Sequence, residues 1–315
     1  AGGTAGVFLG GVITEWMDWR WTFLINIPVG LLVLAVTSSL LPAGIRRGGR
    51  LDIIGALVVT AAMVIGVYGV VTAPDTGWGS TQTISLLGGA AGLLAAFVVI
   101  EGVQKEPLVR LGIFRAPNLS AGNIAMALLG AAWIPLWFFL NLYLQQVLGY
   151  GAFESGLALL PMTGAIMLLM VAATGRLTAI FGIKLNIAAG MVFLVAALLL
   201  LAQAPTDGEF VLHVLPASML AAVGMSLTYI PAMIASTAGA PADDSGLASG
   251  LVNTTYQVGS ALGLAAMAAV AQSYTNGTEL TDFNDGFHAA FYGAAVVAVA
   301  GGLAALAFIR APRQA

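Results

Sequence analysis

The sequence predicts an all-α integral membrane protein. Three observations carry that prediction: 59% of the 315 residues are apolar and 8% are charged, the mean hydropathy is +0.97, and apolar runs of about 20 residues, the length that crosses a bilayer, recur along the whole chain. A soluble domain with one large core would not repeat such runs. Backbone polar groups cannot be left unpaired in hydrocarbon, so each run must be a helix, and the run length excludes a barrel.

The elements follow from charges, Pro and Gly at the ends of each run. A partial helix covers 1–14; it opens without an initiator Met or flanking charge, so the chain reads as part of something longer. Gly2, Gly6 and Gly10 recur every four residues with Gly11 beside the last, giving that helix a bare ridge for close helix packing. After the knot Trp19-Arg20-Trp21 come spans at 21–41, 53–73 and 83–100. Six more follow at 117–147, 155–174, 183–203, 212–236, 245–271 and 287–309, with Pro161, Pro216 and Pro231 expected to kink their helices. Ten spans result.

Threading these spans alternately through the membrane puts Arg46, Arg47, Arg50, Lys105, Arg110, Arg115, Arg176, Lys184, Arg310 and Arg313 on one side, and Arg20 alone on the other. By the positive-inside rule the loops at 42–52, 101–116 and 175–184 and the C-terminus are cytoplasmic. The net charge of −3 says little beside this distribution. The acidic residues lean outward (Glu15, Asp18, Asp75, Glu154, Asp207, Glu209, Glu279, Asp282, Asp285). Asn276-Gly277-Thr278 fits a glycosylation pattern and equally a turn.

No cysteine is present, so neither disulfides nor thiolate metal sites are expected. The sequence holds no nucleophile and base pair, no metal-ligand cluster and no glycine loop ahead of a Lys, so the expectation is a protein that is not an enzyme, binds no cofactor, metal or nucleic acid, and does not use ATP. His213 and His288 each stand alone near a helix end.

Two polar stripes are candidates for a binding cavity. Trp133, Trp137, Asn141 and Gln145 are each four apart on the 117–147 span. Asn253, Tyr256, Gln257 and Ser260 follow helical spacing on 245–271. Amides and phenols in hydrocarbon need partners or water, so each stripe either bonds to a neighbouring helix or faces a hydrated cavity. Met162, Met167, Met170, Met219, Met225 and Met233, with Tyr229, offer either core filling or a soft apolar wall. No Asp, Glu, Lys or Arg falls near the middle of any span, and an intramembrane charge is the usual proton carrier.

Several strings together resemble the major facilitator superfamily, and within it the fourteen-helix drug:proton antiporters of the EmrB/QacA type. Gly2-x-x-x-Gly6-Val7-x-x-Gly10-Gly11 is similar to the antiporter motif of that family's fifth helix, with Val7 where Pro is usual. Trp19-Arg20-Trp21-x-Phe23-x-Ile25-Asn26-x-Pro28-x-Gly30 resembles the signature entering helix six. Leu51-Asp52-x-x-Gly55, Gly77-Trp78, Phe114-Arg115, Tyr143-Leu144-Gln145, Gly156-x-x-x-Leu160-Pro161-Met162, Gly175-Arg176-Leu177 and Ser245-Gly246-x-Ala248-Ser249-Gly250 fall in the family's order.

The resemblance implies a major facilitator fold in which the ten spans are helices five to fourteen and helices one to four are missing. Residues 1–41 would end the N-terminal bundle, 42–116 would hold two extra central helices, and 117–315 would form the C-terminal six-helix bundle. It implies a multi-pass protein of the cytoplasmic (inner) membrane that exports small hydrophobic, amphipathic or cationic compounds in exchange for protons. An exporter of an endogenous metabolite, lipid or self-made antibiotic is the alternative within transport, and a non-transporting membrane component the alternative outside it. The cavity would be lined by Trp133, Trp137, Asn141, Gln145, Met162, Tyr229, Asn253, Tyr256 and Gln257, and the proton carriers would lie in the missing helices. The spacing of Gly246, Gly250, Gly259 and Gly263 would echo the first helix.

Overall fold

The computed structural model describes residues 2–40, 52–104, 107–241, 244–275 and 277–310. Arg46, Arg47, Arg50, Lys105, Arg313 and Asn276 lie outside the described residues.

The described chain is helical throughout. Helix α1 (Gly2–Trp16) leads through a turn into α2 (Trp21–Leu24) and α3 (Asn26–Leu40), so the predicted span at 21–41 is interrupted at Ile25. A hairpin follows, α4 (Ile53–Thr76) and α5 (Thr81–Val103), and then a 3-10 turn at Leu111–Arg115. Six rods complete the fold: α6 (Leu119–Leu142) with a π turn at Tyr143–Val147, α7 (Ala152–Ala172), α8 (Thr174–Leu201), α9 (Leu215–Thr237) preceded by a π turn at Phe210–Val214, α10 (Ser245–Tyr274) and α11 (Leu280–Phe308). Among the described residues seven helices are long and apolar enough to cross a membrane: α4, α5, α6 with its π turn, α7, α8, α9 with its π turn, and α11. The 30-residue α10 is not among them, because Asn253, Thr254, Thr255, Gln257 and Ser260 dilute its apolar character.

Two boundaries correct the sequence prediction. Residues 175–184, expected as a cytoplasmic loop, are helical up to Phe181, and the helix kinks at Gly182, whose φ of 78° and ψ of 164° suit glycine. Buried Asn186 braces that corner by donating to the carbonyls of Leu177 and Gly182, both at 2.9 Å. Pro216 lies in the first turn of α9, where its missing N–H costs little, whereas Pro161 and Pro231 sit inside α7 and α9 as expected.

The core belongs to α6–α11. Leu129, Leu136, Leu140, Leu194, Leu198 and Phe291 are almost fully buried there. Helices α8 and α9 cross where Gly190 faces Gly224: a Cβ on Gly224 would meet the Gly190 carbonyl oxygen and the Leu194 nitrogen, each at 2.8 Å. Helices α6 and α10 run parallel, with Gly259 against Ala127 and Gly263 against Ala131. Asn118, with φ of 64°, closes the bundle by accepting from the Arg310 N–H at 2.7 Å and donating to its carbonyl at 2.9 Å. That clamp marks the basic end of the molecule. At the other end Tyr143 donates to the Pro205 carbonyl at 2.6 Å, and Asn284 and His288 both bond the Ala204 carbonyl.

Outside this bundle the apolar surface is open. Helix α3 is exposed along almost its whole length, and α4 and α5 bury mainly the faces they turn to each other. Apolar side chains exposed around a helix suit a lipid environment.

Candidate functional site

The two stripes are carried by neighbouring helices. On α6, Trp133 and Trp137 pack edge to face with ring centroids 6.3 Å apart. One turn on, Gln145 donates to Asn141 at 2.6 Å. On α10, Asn253 donates to the Ser249 carbonyl at 3.0 Å within its own helix, and both Asn253 and Gln257 are exposed. Tyr256 meets Tyr229 of α9 edge to face at 5.7 Å, which joins the wall of α9 to that of α10. Ser260 is buried and bonds back to the Tyr256 carbonyl.

The register of α6 against α10 sets the levels of these groups. A Cβ on Gly130 would meet the Tyr256 carbonyl and Ser260 Oγ, each at 2.6 Å, so Tyr256 and Gln257 stand near the basic half of α6. Asn141 lies eleven residues beyond Gly130, roughly 16 Å at 1.5 Å per residue. The predicted residues therefore occupy two levels, an Asn253–Tyr256–Gln257–Tyr229 level and an Asn141–Gln145 level, with the Trp133–Trp137 pair between them. Met162 is fully buried and Trp133 is 5% exposed, so both pack in the core. Met225 is buried as well, while Met167 and Met233 are exposed. A cleft of about 670 Å³ opens between α8, α9 and α11, lined by Phe181, Leu185, Val192, Leu227 and Leu303 among others, and none of the predicted cavity residues lines it.

The first helix meets the bundle through α7. A Cβ on Gly11 would lie 3.1 Å from the Ala152 carbonyl oxygen and 3.7 Å from the Gly156 Cα, and Phe8 and Trp16 flank the contact by packing on Phe153 at 6.1 and 5.6 Å. Gly6 and Gly10 have nothing within 4 Å, so of the described ridge glycines Gly11 alone is packed here; the surroundings of Gly2 and the side chain of Val7 are outside the description. The α10 glycines divide in the same way: Gly259 and Gly263 serve packing onto α6, while Gly246 and Gly250 are open. Trp19, Arg20, Trp21, Asn26 and Pro28 are all exposed. They build the turn into α3: the Arg20 guanidinium lies over Trp19 at 5.6 Å, the Arg20 N–H donates to Asp18, and Asn26 donates to the carbonyls of Thr22 and Phe23.

Sequence reasoning passed over one residue. Glu101, read as the first residue of a loop, belongs to the last turn of α5 and is 3% exposed. Its neighbours Asp52 and Gly55 are legible in the string Leu51-Asp52-x-x-Gly55, and Asp52 as an interfacial acid, but nothing in the sequence says which segment packs over Gly55. Among the described residues no group of three or more His, Cys, Asp or Glu could hold a metal ion.

A helical bundle with a largely apolar exterior, in which two neighbouring helices carry spaced polar groups, has the build of a helical membrane transport protein. The chain belongs to the Major Facilitator Superfamily, which it matches over residues 1–264. It is 34% identical to the cephamycin export protein CmcT of Amycolatopsis lactamdurans, across 95% of this chain and 62% of that protein. It is 33% identical to the tetracenomycin C resistance and export protein of Streptomyces glaucescens, across 85% and 50%, and 30% identical to the multidrug resistance protein Stp of Mycobacterium tuberculosis, across 88% and 51%. The chain thus spans between 50% and 62% of the length of these relatives.

Proposed function

We propose that the protein exports hydrophobic, amphipathic or cationic drugs across the cytoplasmic membrane in exchange for protons. In this reading the ten predicted spans take the places of helices five to fourteen of a drug:proton antiporter: 1–41 ends one half, 42–116 is the central helix pair, and 117–315 is the other half, with a cytoplasmic C-terminus. Transport is rocking of the halves around a mid-membrane cavity.

The observation that carries this reading is the exposure of Asn253 and Gln257 within α10, beside α6, with Gln145 exposed in the π turn that ends α6. Such amides belong against water, substrate or a partner helix rather than against lipid tails. Tyr229 and Tyr256 then supply aromatic walls at the inner level, Trp137 stands between levels, and Asn141 and Gln145 supply the outer one. The α1–α7 contact through Gly11 gives the two halves a close pivot. The names of the three relatives, all resistance or export proteins, support the same reading.

Cells making the protein are expected to accumulate less of a fluorescent cationic dye than cells lacking it, and a protonophore should restore accumulation. Equal accumulation with and without the protein, unchanged by the protonophore, would overturn the proposal. A second reading has its own support: two of the relatives are named for cephamycin and tetracenomycin C export. Export of a self-made antibiotic is therefore the alternative, and it predicts protection against one narrow compound class with little effect on general dyes.

A further inference from the structure

At the basic end of the α4–α5 hairpin, two carboxyl groups converge on one glycine. Asp52 caps α4: its Oδ1 accepts from the Gly55 N–H at 2.8 Å and from Gln104 Nε2 at 3.1 Å. Glu101 Oε2 accepts from the Val109 N–H at 2.8 Å. Each carboxyl thus has one oxygen occupied by donors. The other two, Asp52 Oδ2 and Glu101 Oε1, are buried and have no hydrogen-bond partner. Both press on the spot where a Cβ on Gly55 would sit, Glu101 Oε1 at 2.6 Å from it. The absence of a side chain at Gly55 is what lets them meet.

Two acceptors cannot satisfy each other, and two buried carboxylates repel strongly. Among the described residues neither carboxyl has a Lys or Arg partner. Arg110, which follows α5, is held by Asp244 at the start of α10 with N and O 3.3 Å apart. The other described titratable groups on the elements packed here are Tyr68 and Asp75 of α4, Arg115 beyond α5, and Tyr256 and Tyr274 of α10. Tyr68 and Asp75 stand roughly 24 and 34 Å up the helix from Asp52, and Arg115 is exposed.

We propose that Asp52 and Glu101 form a one-proton site, in which the Glu101 carboxyl donates from Oε1 to the Asp52 carboxylate at Oδ2. The helix ends decide which partner holds the proton. Asp52 sits at the N-terminus of α4, where the exposed N–H groups and the helix dipole favour an anion. Glu101 sits in the last turn of α5, where the dipole opposes one, and it is the more buried of the two. One proton converts two unsatisfied acceptors into a charge-assisted hydrogen bond that ties the hairpin's base together. Its loss at high pH sets two carboxylates against each other and loosens that base. The site stands apart from the proposed export cavity, and its test does not depend on transport.

The test is infrared spectroscopy of the purified full chain in lipid nanodiscs during a pH titration, following the C=O stretch of a protonated carboxyl and its downshift in D2O. At neutral pH the wild type should show one such band. Glu101→Gln, which keeps the acceptor for Val109 and nearly the same shape, should remove it. Asp52→Asn should displace its titration, and Gly55→Ala, which wedges a methyl group between the two oxygens, should shift or remove it. No protonated band at neutral pH would overturn the proposal, as would a band unaffected by all three variants. A band that disappears when Na+ is raised at fixed pH would also overturn it, replacing the proton by a metal cation. Size-exclusion profiles matching wild type make the loss in Glu101→Gln readable as loss of the proton rather than of the fold.

Discussion

Gly224 and Gly190 let α8 and α9 touch backbone to backbone, and this contact separates glycines that matter from glycines that do not. Gly224→Leu forces a side chain onto backbone atoms that cannot yield, so it should cost at least about 1–3 kcal/mol, the usual range for overpacking, and lower the tryptophan-fluorescence melting midpoint. Gly92→Ala in exposed α5 meets nothing within 4 Å and should not destabilise, raising stability by up to about 1 kcal/mol through helix propensity. Asn118 has two roles, a positive φ and two hydrogen bonds to the Arg310 backbone. Asn118→Ala loses both and should destabilise by about 1–3 kcal/mol, whereas Asn118→Gly, which tolerates the φ, should cost less in the same melting assay.

At the scale of elements, burial divides the predicted cavity residues into those that hold the bundle and those free to meet a substrate. Met162→Ala and Trp133→Ala remove buried core volume and should cost about 2–5 kcal/mol, visible as a lower melting midpoint whatever happens to export. Asn253→Leu and Gln257→Leu act on an exposed face of α10 and should leave that midpoint nearly unchanged while reducing dye export. Parallel loss of stability and export in the α10 pair would assign those amides to helix packing instead. Helix α10 also shows how periodicity is read: its i, i+3, i+4 stripe was visible in the sequence, but the level at which it meets α6 was set by Gly259 and Gly263 against Ala127 and Ala131.

For the whole molecule, the division between a packed six-helix bundle and an exposed N-terminal region has a functional consequence. The α1–α7 contact through Gly11, Phe8, Trp16 and Phe153 is the bridge described between residues before the hairpin and those of the bundle. Gly11→Leu should disturb it at the Ala152 carbonyl and reduce export without unfolding α6–α11, read as lost dye export at an unchanged far-UV helix signal.

The sequence by itself determined the membrane class and the helical state, because run length and the need to pair backbone groups in hydrocarbon favour helices, and it placed most of the rods, but not the break at Ile25 or the helical stretch at 174–181. It also exposed the glycine patterns and polar stripes, since helical spacing is a local property. Only the tertiary structure decided which glycine of a ridge meets a neighbour, that Asn186 braces the corner at Gly182 while Asn118 joins the start of α6 to the end of α11, and that Trp133 and Met162 are core. It alone brought Glu101 over Gly55 to face Asp52, 49 positions away in the chain. Those outcomes depend on the register between helices, which is fixed by close packing over the whole interface and leaves no signature in the spacing along any single one.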